Sequence, residues 1–196
     1  IYGCSELSTE EQGEVFASGK PEGGKFRFWV EPGNLLEVQS DGESSALLTG
    51  STPGKGTLYV EYTTPLGKTN TASQQASCVN IENYNGGQAI PQIALFDVDG
   101  SKLPGIHKIP LSAQPSNIEE LVDFVPADKS VLAAVGLPGA VELTGSKEGK
   151  TTLKATTNCG NETGPTVEVE VVNCSDETKA KLAEEMRIAQ EARQQA

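Results

Sequence analysis

The chain has 196 residues and a formal net charge of −12, with no cluster of Lys and Arg to reverse that sign locally; binding to nucleic acid or to an anionic membrane through a basic patch is thereby excluded. No apolar run approaches the roughly 18 residues that cross a bilayer as a helix, so no membrane-spanning segment is expected. With 21 glycines, 11 prolines and few aromatic residues, the composition suits an all-β, extended chain of two modestly cored domains.

The start at Ile1 rather than Met suggests a chain processed after synthesis, with secretion the favoured reason, or one trimmed to its ordered part. Ile1-Tyr2-Gly3-Cys4 loosely matches the end of a lipoprotein signal, but the three residues before Cys4 would then have been removed. Residues 1–14 are acidic and hold only a weak opening strand, which leaves a sheet edge that another chain can fill. Lys25-Phe26-Arg27-Phe28-Trp29-Val30 alternates as a central strand should and is stopped by Pro32, which cannot donate to a ladder. Strands over Leu35–Val38, Leu47–Thr49 and Thr57–Tyr62 follow, then a polar last strand near Thr71–Val79. Glu82-Asn83-Tyr84-Asn85-Gly86-Gly87 reads as a short turn-forming linker.

The same series then runs again. Gln92–Val98 is a clear opening strand ending in an Asp99-Gly100 turn, and Glu120–Val125, Val131–Val135, Val141–Thr144 and Thr152–Thr156 reproduce the earlier strands. Thr166–Val172 closes the copy with valines on one face and charges mostly on the other. The repeat is sharpest where Thr49-Gly50-Ser51, Gly54-Lys55 and Thr57-Leu58 recur as Thr144-Gly145-Ser146, Gly149-Lys150 and Thr152-Leu153. Pro21 and Pro115, Pro32 and Pro126, and Gly42 and Gly136 each stand 94 apart, a period that suits a whole small domain. The expected organisation is a first β-sandwich over residues 1–80, a linker over 81–91, a second sandwich over 92–175 and a C-terminal helix over 176–196, capped by Ser175 or Asp176, with Leu182, Met186 and Ala189 in one apolar stripe.

Ser130-Val131-Leu132-Ala133-Ala134-Val135, Gly139 to Gly145 and Gly149-Lys150-Thr151-Thr152-Leu153-Lys154-Ala155-Thr156 resemble the signature of the bacterial immunoglobulin-like domains of group 2, found in surface adhesins and phage virion proteins. The resemblance covers most of the second copy and, more weakly, the first. It implies two tandem immunoglobulin-like β-sandwiches followed by the α-helix, and it implies no active site, since the motif is structural. The cysteines are a departure from that family.

Four cysteines without a C-x-x-C pair point to disulfides in an oxidising compartment. In a sandwich of that type, with its first and last strands parallel, Cys78 and Cys174 mark the far ends of the two domains, Cys159 faces the first domain, and Cys4 lies at its start. The expected pairs are therefore Cys78 with Cys159 across the domain junction and Cys4 with Cys174 of another copy, in a head-to-tail array. Two intradomain bridges, Cys4 with Cys78 and Cys159 with Cys174, remain the alternative.

No catalytic, cofactor-binding or metal-binding constellation is expected. His107 is the only histidine, and Asp97-Val98-Asp99-Gly100 lacks the later acidic ligand of a calcium loop, so a hairpin turn is favoured. Asn161 and Asn173 head Asn-x-Ser/Thr triplets and are candidate glycosylation acceptors. The expectation is a non-enzymatic subunit of an extracellular or cell-surface assembly that forms a homo-oligomer or filament through its ends. The alternative is an adhesin or phage-virion module with a glycan or protein ligand.

Overall fold

The computed structural model describes residues 1–98 and 101–174. Nearly everything described is strand. The first half of the chain supplies β1 (Tyr2–Gly3), β2 (Glu6–Ser8), β3 (Gln12–Phe16), β4 (Lys25–Glu31), β5 (Leu36–Gln39), β6 (Ser45–Gly50), β7 (Gly54–Thr63) and β8 (Thr69–Tyr84). The second supplies β9 (Ile93–Val98), β10 (Ser101–Pro104), β11 (Ile106–Gln114), β12 (Val122–Pro126), β13 (Leu132–Leu137), β14 (Ala140–Gly145), β15 (Gly149–Thr157) and β16 (Glu162–Asn173). Single 3₁₀ turns lie at Asn85–Gly87 and Ile118–Glu120.

Alternation decides which faces are buried. In β4, Phe28 and Val30 turn inward while Arg27 and Glu31 stay exposed; in β16, Val169 and Val171 are buried and Glu168 is exposed. Two separate cores result. Leu7, Val15, Phe28, Leu36, Leu48 and Leu58 fill the first, and Ile93, Ile109, Val141, Leu143, Leu153 and Val169 belong to the second.

Around the first core, β1-β3-β6-β5 form one sheet and β4-β7-β8 the facing layer, with β2 parallel to β8. That is the division of an immunoglobulin-type sandwich, in which the first, second, fifth and fourth strands face the third, sixth and seventh. Around the second core the same order returns: the end of β8, then β11, β14 and β13, facing β12-β15-β16 with β9 parallel to β16. The β9–β10 hairpin is an addition, with Val98 opposite Ser101.

The repeated Thr-Gly-Ser and Gly-Lys residues occupy the same corner twice. Gly50 ends β6 and Gly54 begins β7, as Gly145 ends β14 and Gly149 begins β15. The amides of Ser51 and Thr52 donate to the Leu35 carbonyl at 3.1 and 3.2 Å, and those of Ser146 and Lys147 donate to the Val131 carbonyl at 2.8 and 3.4 Å.

The linker expected over 81–91 is corrected in its first part. Asn80 to Tyr84 continue β8 and pair with β11, Tyr84 opposite Leu111 and Asn80 opposite Gln114. Val79, Ile81 and Tyr84 turn into the second core, so burial and ladder bonds outweigh the turn-like composition of this stretch. The start of the first half is split into two short strands, β1 and β2, on different sheets. The helix expected over 176–196 lies outside the described residues, as does the Asp99-Gly100 turn. Among the described residues, no helix is long and apolar enough to cross a membrane.

Candidate functional site at the junction between the cores

The junction is built from β8, β2 and the turn between β15 and β16. β2 runs parallel to the end of the first-core portion of β8, with Glu6 opposite Ser77 and Ser8 opposite Val79. Ser5, just ahead of it, is buried and its hydroxyl donates to the Gln75 carbonyl at 2.7 Å. This register carries Cys4 towards the second core instead of leaving it at the outer tip of the molecule. There it meets Cys159, in the turn closed by Gly160 N–H to Thr157 O at 2.7 Å, and the two form a disulfide with a Cα–Cα distance of 5.8 Å.

This pairing corrects the cysteine expectation on both counts. Cys159 faces the first core as anticipated, but its partner is Cys4, which is therefore not available to Cys174 of another copy. The expectation put Cys4 at the outer tip of the first domain, whereas β2, parallel to β8, places it within reach of the β15–β16 turn. Cys78 is a free thiol, fully buried in the first core, with Thr9 Oγ1 3.8 Å from its sulfur. Burial pushes its pKa up, against smaller opposing effects of hydrogen bonds to Thr9 and Ser51. Cys174 is free and buried as well, its amide donating to the Leu95 carbonyl at 3.0 Å. The intradomain alternative is excluded by the same observations.

Two side-chain contacts flank the disulfide. Asn158 Nδ2 donates to Glu6 Oε1 at 3.3 Å, and Lys55 makes an ion pair with Glu120 across the two cores. The Lys55 ammonium holds the Glu120 carboxyl below its usual range, although both groups are largely in water and the pair adds little stability. Tyr84 completes the inner side of the junction. Its ring meets Phe124 edge-on at 6.2 Å, its hydroxyl has no partner among the described residues, and burial pushes its pKa up to about 12.

A second feature lies on the outer face of β4 and β7. The Trp29 and Tyr59 rings are opposite one another and stack at 5.2 Å, Arg27 sits 5.4 Å from the Trp29 centroid, and the indole N–H donates to Glu31 at 3.2 Å. Sequence reading marked the Lys25–Val30 strand but not this ladder; the cross-strand register that joins Trp29 to Tyr59 is not visible without the fold.

The other sequence candidates are dispersed. His107 is half-buried on β11 opposite Leu143, and no group of three or more metal-ligating side chains occurs among the described residues. Asn161 is half-buried in the β15–β16 turn, its carbonyl accepting from Thr157 N–H; Asn173 is exposed, with Nδ2 donating to Glu148 at 2.8 Å.

No family model and no curated protein matches the chain. Solved structures do. The insect immune protein hemolin is 14% identical over 88% of this chain and 46% of its own, with a TM-score of 0.35, so the chain spans about half of hemolin's length. Fibronectin(III)-like modules of Clostridium thermocellum CbhA are 15% identical over 86% of this chain and 90% of theirs, with a TM-score of 0.37. A C-terminal fragment of intimin, solved in complex with the intimin-binding domain of the translocated intimin receptor, is 14% identical over 85% and 62%, with a TM-score of 0.36.

Proposed function

We propose that this chain is a non-enzymatic structural subunit of an extracellular or cell-surface assembly. In this reading it is two tandem immunoglobulin-like modules, of the bacterial group 2 type that residues 130–156 resemble, acting as a stiff spacer joined to its neighbours through its ends. The observation that carries the reading is the junction: one strand, β8, serves both cores, and the Cys4–Cys159 disulfide ties them again from the other side. A spacer gains from such doubling, because two independent connections suppress bending between modules. The disulfide also favours an oxidising, extracellular setting.

Light scattering on the full chain, over a range of concentrations, tests the assembly. A mass that is a multiple of 20.6 kDa supports it. A monomer at every concentration sinks the self-assembling form of the proposal.

The Trp29–Tyr59–Arg27 ladder favours a second reading, an adhesin-like module whose β4–β7 face binds a glycan or a protein. Titration of soluble glycans against the intrinsic fluorescence of Trp29, the sole tryptophan, tests it. A saturable change lost in Trp29→Ala supports binding at this face, and a flat response to every glycan removes the glycan version.

A further inference from the structure

The two sandwiches share their strand order but not the outer face of the layer formed by their third, sixth and last strands. In the first, the row Trp29, Tyr59 and Ser73 crosses the middle of that face on β4, β7 and β8, with both rings half-buried and Ser73 exposed. In the second, the outward positions of β15 and β16 are taken up by ion pairs, Lys150 with Glu168 at 3.6 Å and Glu170 at 3.9 Å, and Lys154 with Glu162. The aromatic row is therefore not a requirement of the fold, because the second sandwich closes its core without one.

Charge is arranged about this row so that the face complements itself. Arg27 and Glu31, both exposed, stand on either side of Trp29 along β4, each about 7 Å from it. A two-fold axis running along the row, across the strands, sets Arg27 of each copy opposite Glu31 of the other and Trp29 opposite Trp29. The same rotation brings Glu61 opposite the uncharged Thr57, so no like charges meet. Lys25 and Arg27 balance Glu31 and Glu61, which makes this face neutral on a chain whose net charge is −12. An acidic partner is repelled least here.

We infer that the β4–β7 face is a self-docking surface, on which two copies of this chain close into a two-fold pair with their strands antiparallel. The inference rests on the reading of this face as a binding face, and names its occupant. Ring geometry favours a copy over a glycan. Trp29 and Tyr59 lie 13° from parallel with centroids at 5.2 Å, so each spends one face on the other and they form no coplanar platform for a sugar ring. What they turn outward is a block of ring edges flanked by opposite charges, which fits the same block on a second sheet about 10 Å away. Such a contact is isologous and closes at two copies, unlike a joint between ends.

The test is charge exchange, read by sedimentation equilibrium of the full chain. The unaltered chain should form a species of twice 20.6 kDa. Arg27→Glu puts a carboxylate opposite Glu31 at two places in the pair, and Glu31→Arg puts a guanidinium opposite Arg27 at two places, so each variant alone should pair at least about tenfold more weakly. An equimolar mixture of the two should pair again, since every facing charge is then opposite in sign. Ser73→Cys, on the axis, gives an independent check: a bismaleimide spanning about 10 Å should join that position to the same position in another copy, while Cys78 and Cys174 stay buried. If far-UV circular dichroism shows either charge variant unfolded, the cross-link decides alone. Monomer at every concentration, variants that pair as well as the unaltered chain, or folded variants that do not pair on mixing overturn the inference. Glycan binding by monomeric protein, read from Trp29 fluorescence, would overturn self-docking while leaving the binding face intact, and an assembly that both variants retain would overturn this surface while leaving end-joining intact.

Discussion

Tyr84 was placed by sequence reading in a linker, yet it is among the largest fully buried side chains of the protein. The signal that could have found it is the spacing Val79, Ile81, Tyr84, apolar residues one strand would turn to one side across a bulge; the adjoining Asn85-Gly86-Gly87 drew attention to the turn instead. Because its hydroxyl lacks a partner among the described residues, Tyr84→Phe should change stability by less than about 1 kcal/mol in urea unfolding, whereas Tyr84→Ala should cost about 3–5 kcal/mol. The group also carries a pH dependence. An unfolded tyrosine ionises near 10 and Tyr84 only at about 12, so its contribution is fully present below pH 10 and is lost as the pH rises through 12. Tyr84→Phe should flatten the stability curve across that window. An unchanged slope would show that ionisation of other groups dominates it.

At the scale of elements, the corner between β6 and β7 and its twin between β14 and β15 were the most legible part of the sequence. Backbone crowding explains why. A Cβ on Gly50 would stand 2.0 Å from the Ser8 carbonyl oxygen, and one on Gly145 would stand 2.8 Å from a methyl of Val171. Such approaches tolerate no side chain, so the motif survives in both copies while the strands around it diverge. The obstacle at Gly50 is backbone and the one at Gly145 is a side-chain tip. Gly50→Ala should therefore destabilise by more than Gly145→Ala, the former by about 3 kcal/mol or more and the latter by about 1–2 kcal/mol, measured by chemical denaturation. Equal losses would mean that β2 moves aside as easily as Val171 does. The strand pattern and the two cores were legible for a related reason, since alternation such as Lys25–Val30 or Thr166–Val172 fixes which face is buried. The cysteine partners were not, because they depend on where a three-residue strand sits along β8, and nothing local to Glu6–Ser8 fixes that register.

For the molecule as a whole, the Cys4–Cys159 bond closes a loop with a sequence separation of 155 and joins two cores that already share β8. Cys4→Ser paired with Cys159→Ser should lower stability by about 3–5 kcal/mol. It should also broaden the distribution of shapes seen by small-angle scattering, because β8 alone then connects the cores. Cys78 and Cys174 give an internal control: both are buried, so native protein should react slowly with a thiol reagent and unfolded protein should expose two thiols. Rapid labelling of Cys78 in the native state would mean that the first core opens far more readily than its packing implies.

The same bond reroutes mechanical tension. If the molecule is pulled between Ile1 and Cys174, the load passes from Cys4 directly to Cys159, and the residues enclosed by the disulfide are never stretched. Only β16 and the few residues at the start remain in the path, and β16 must be sheared from β15 and β9 before the tether lengthens. Because β16 is already extended in the fold, its rupture in the oxidised protein lengthens the tether by only about 10 Å, whereas reduction adds about 500 Å of hidden length at about 3.4 Å per residue. A single-molecule pulling trace should show that difference between oxidised and reduced protein, which makes the disulfide a limit on how far a loaded molecule can extend before its fold is lost.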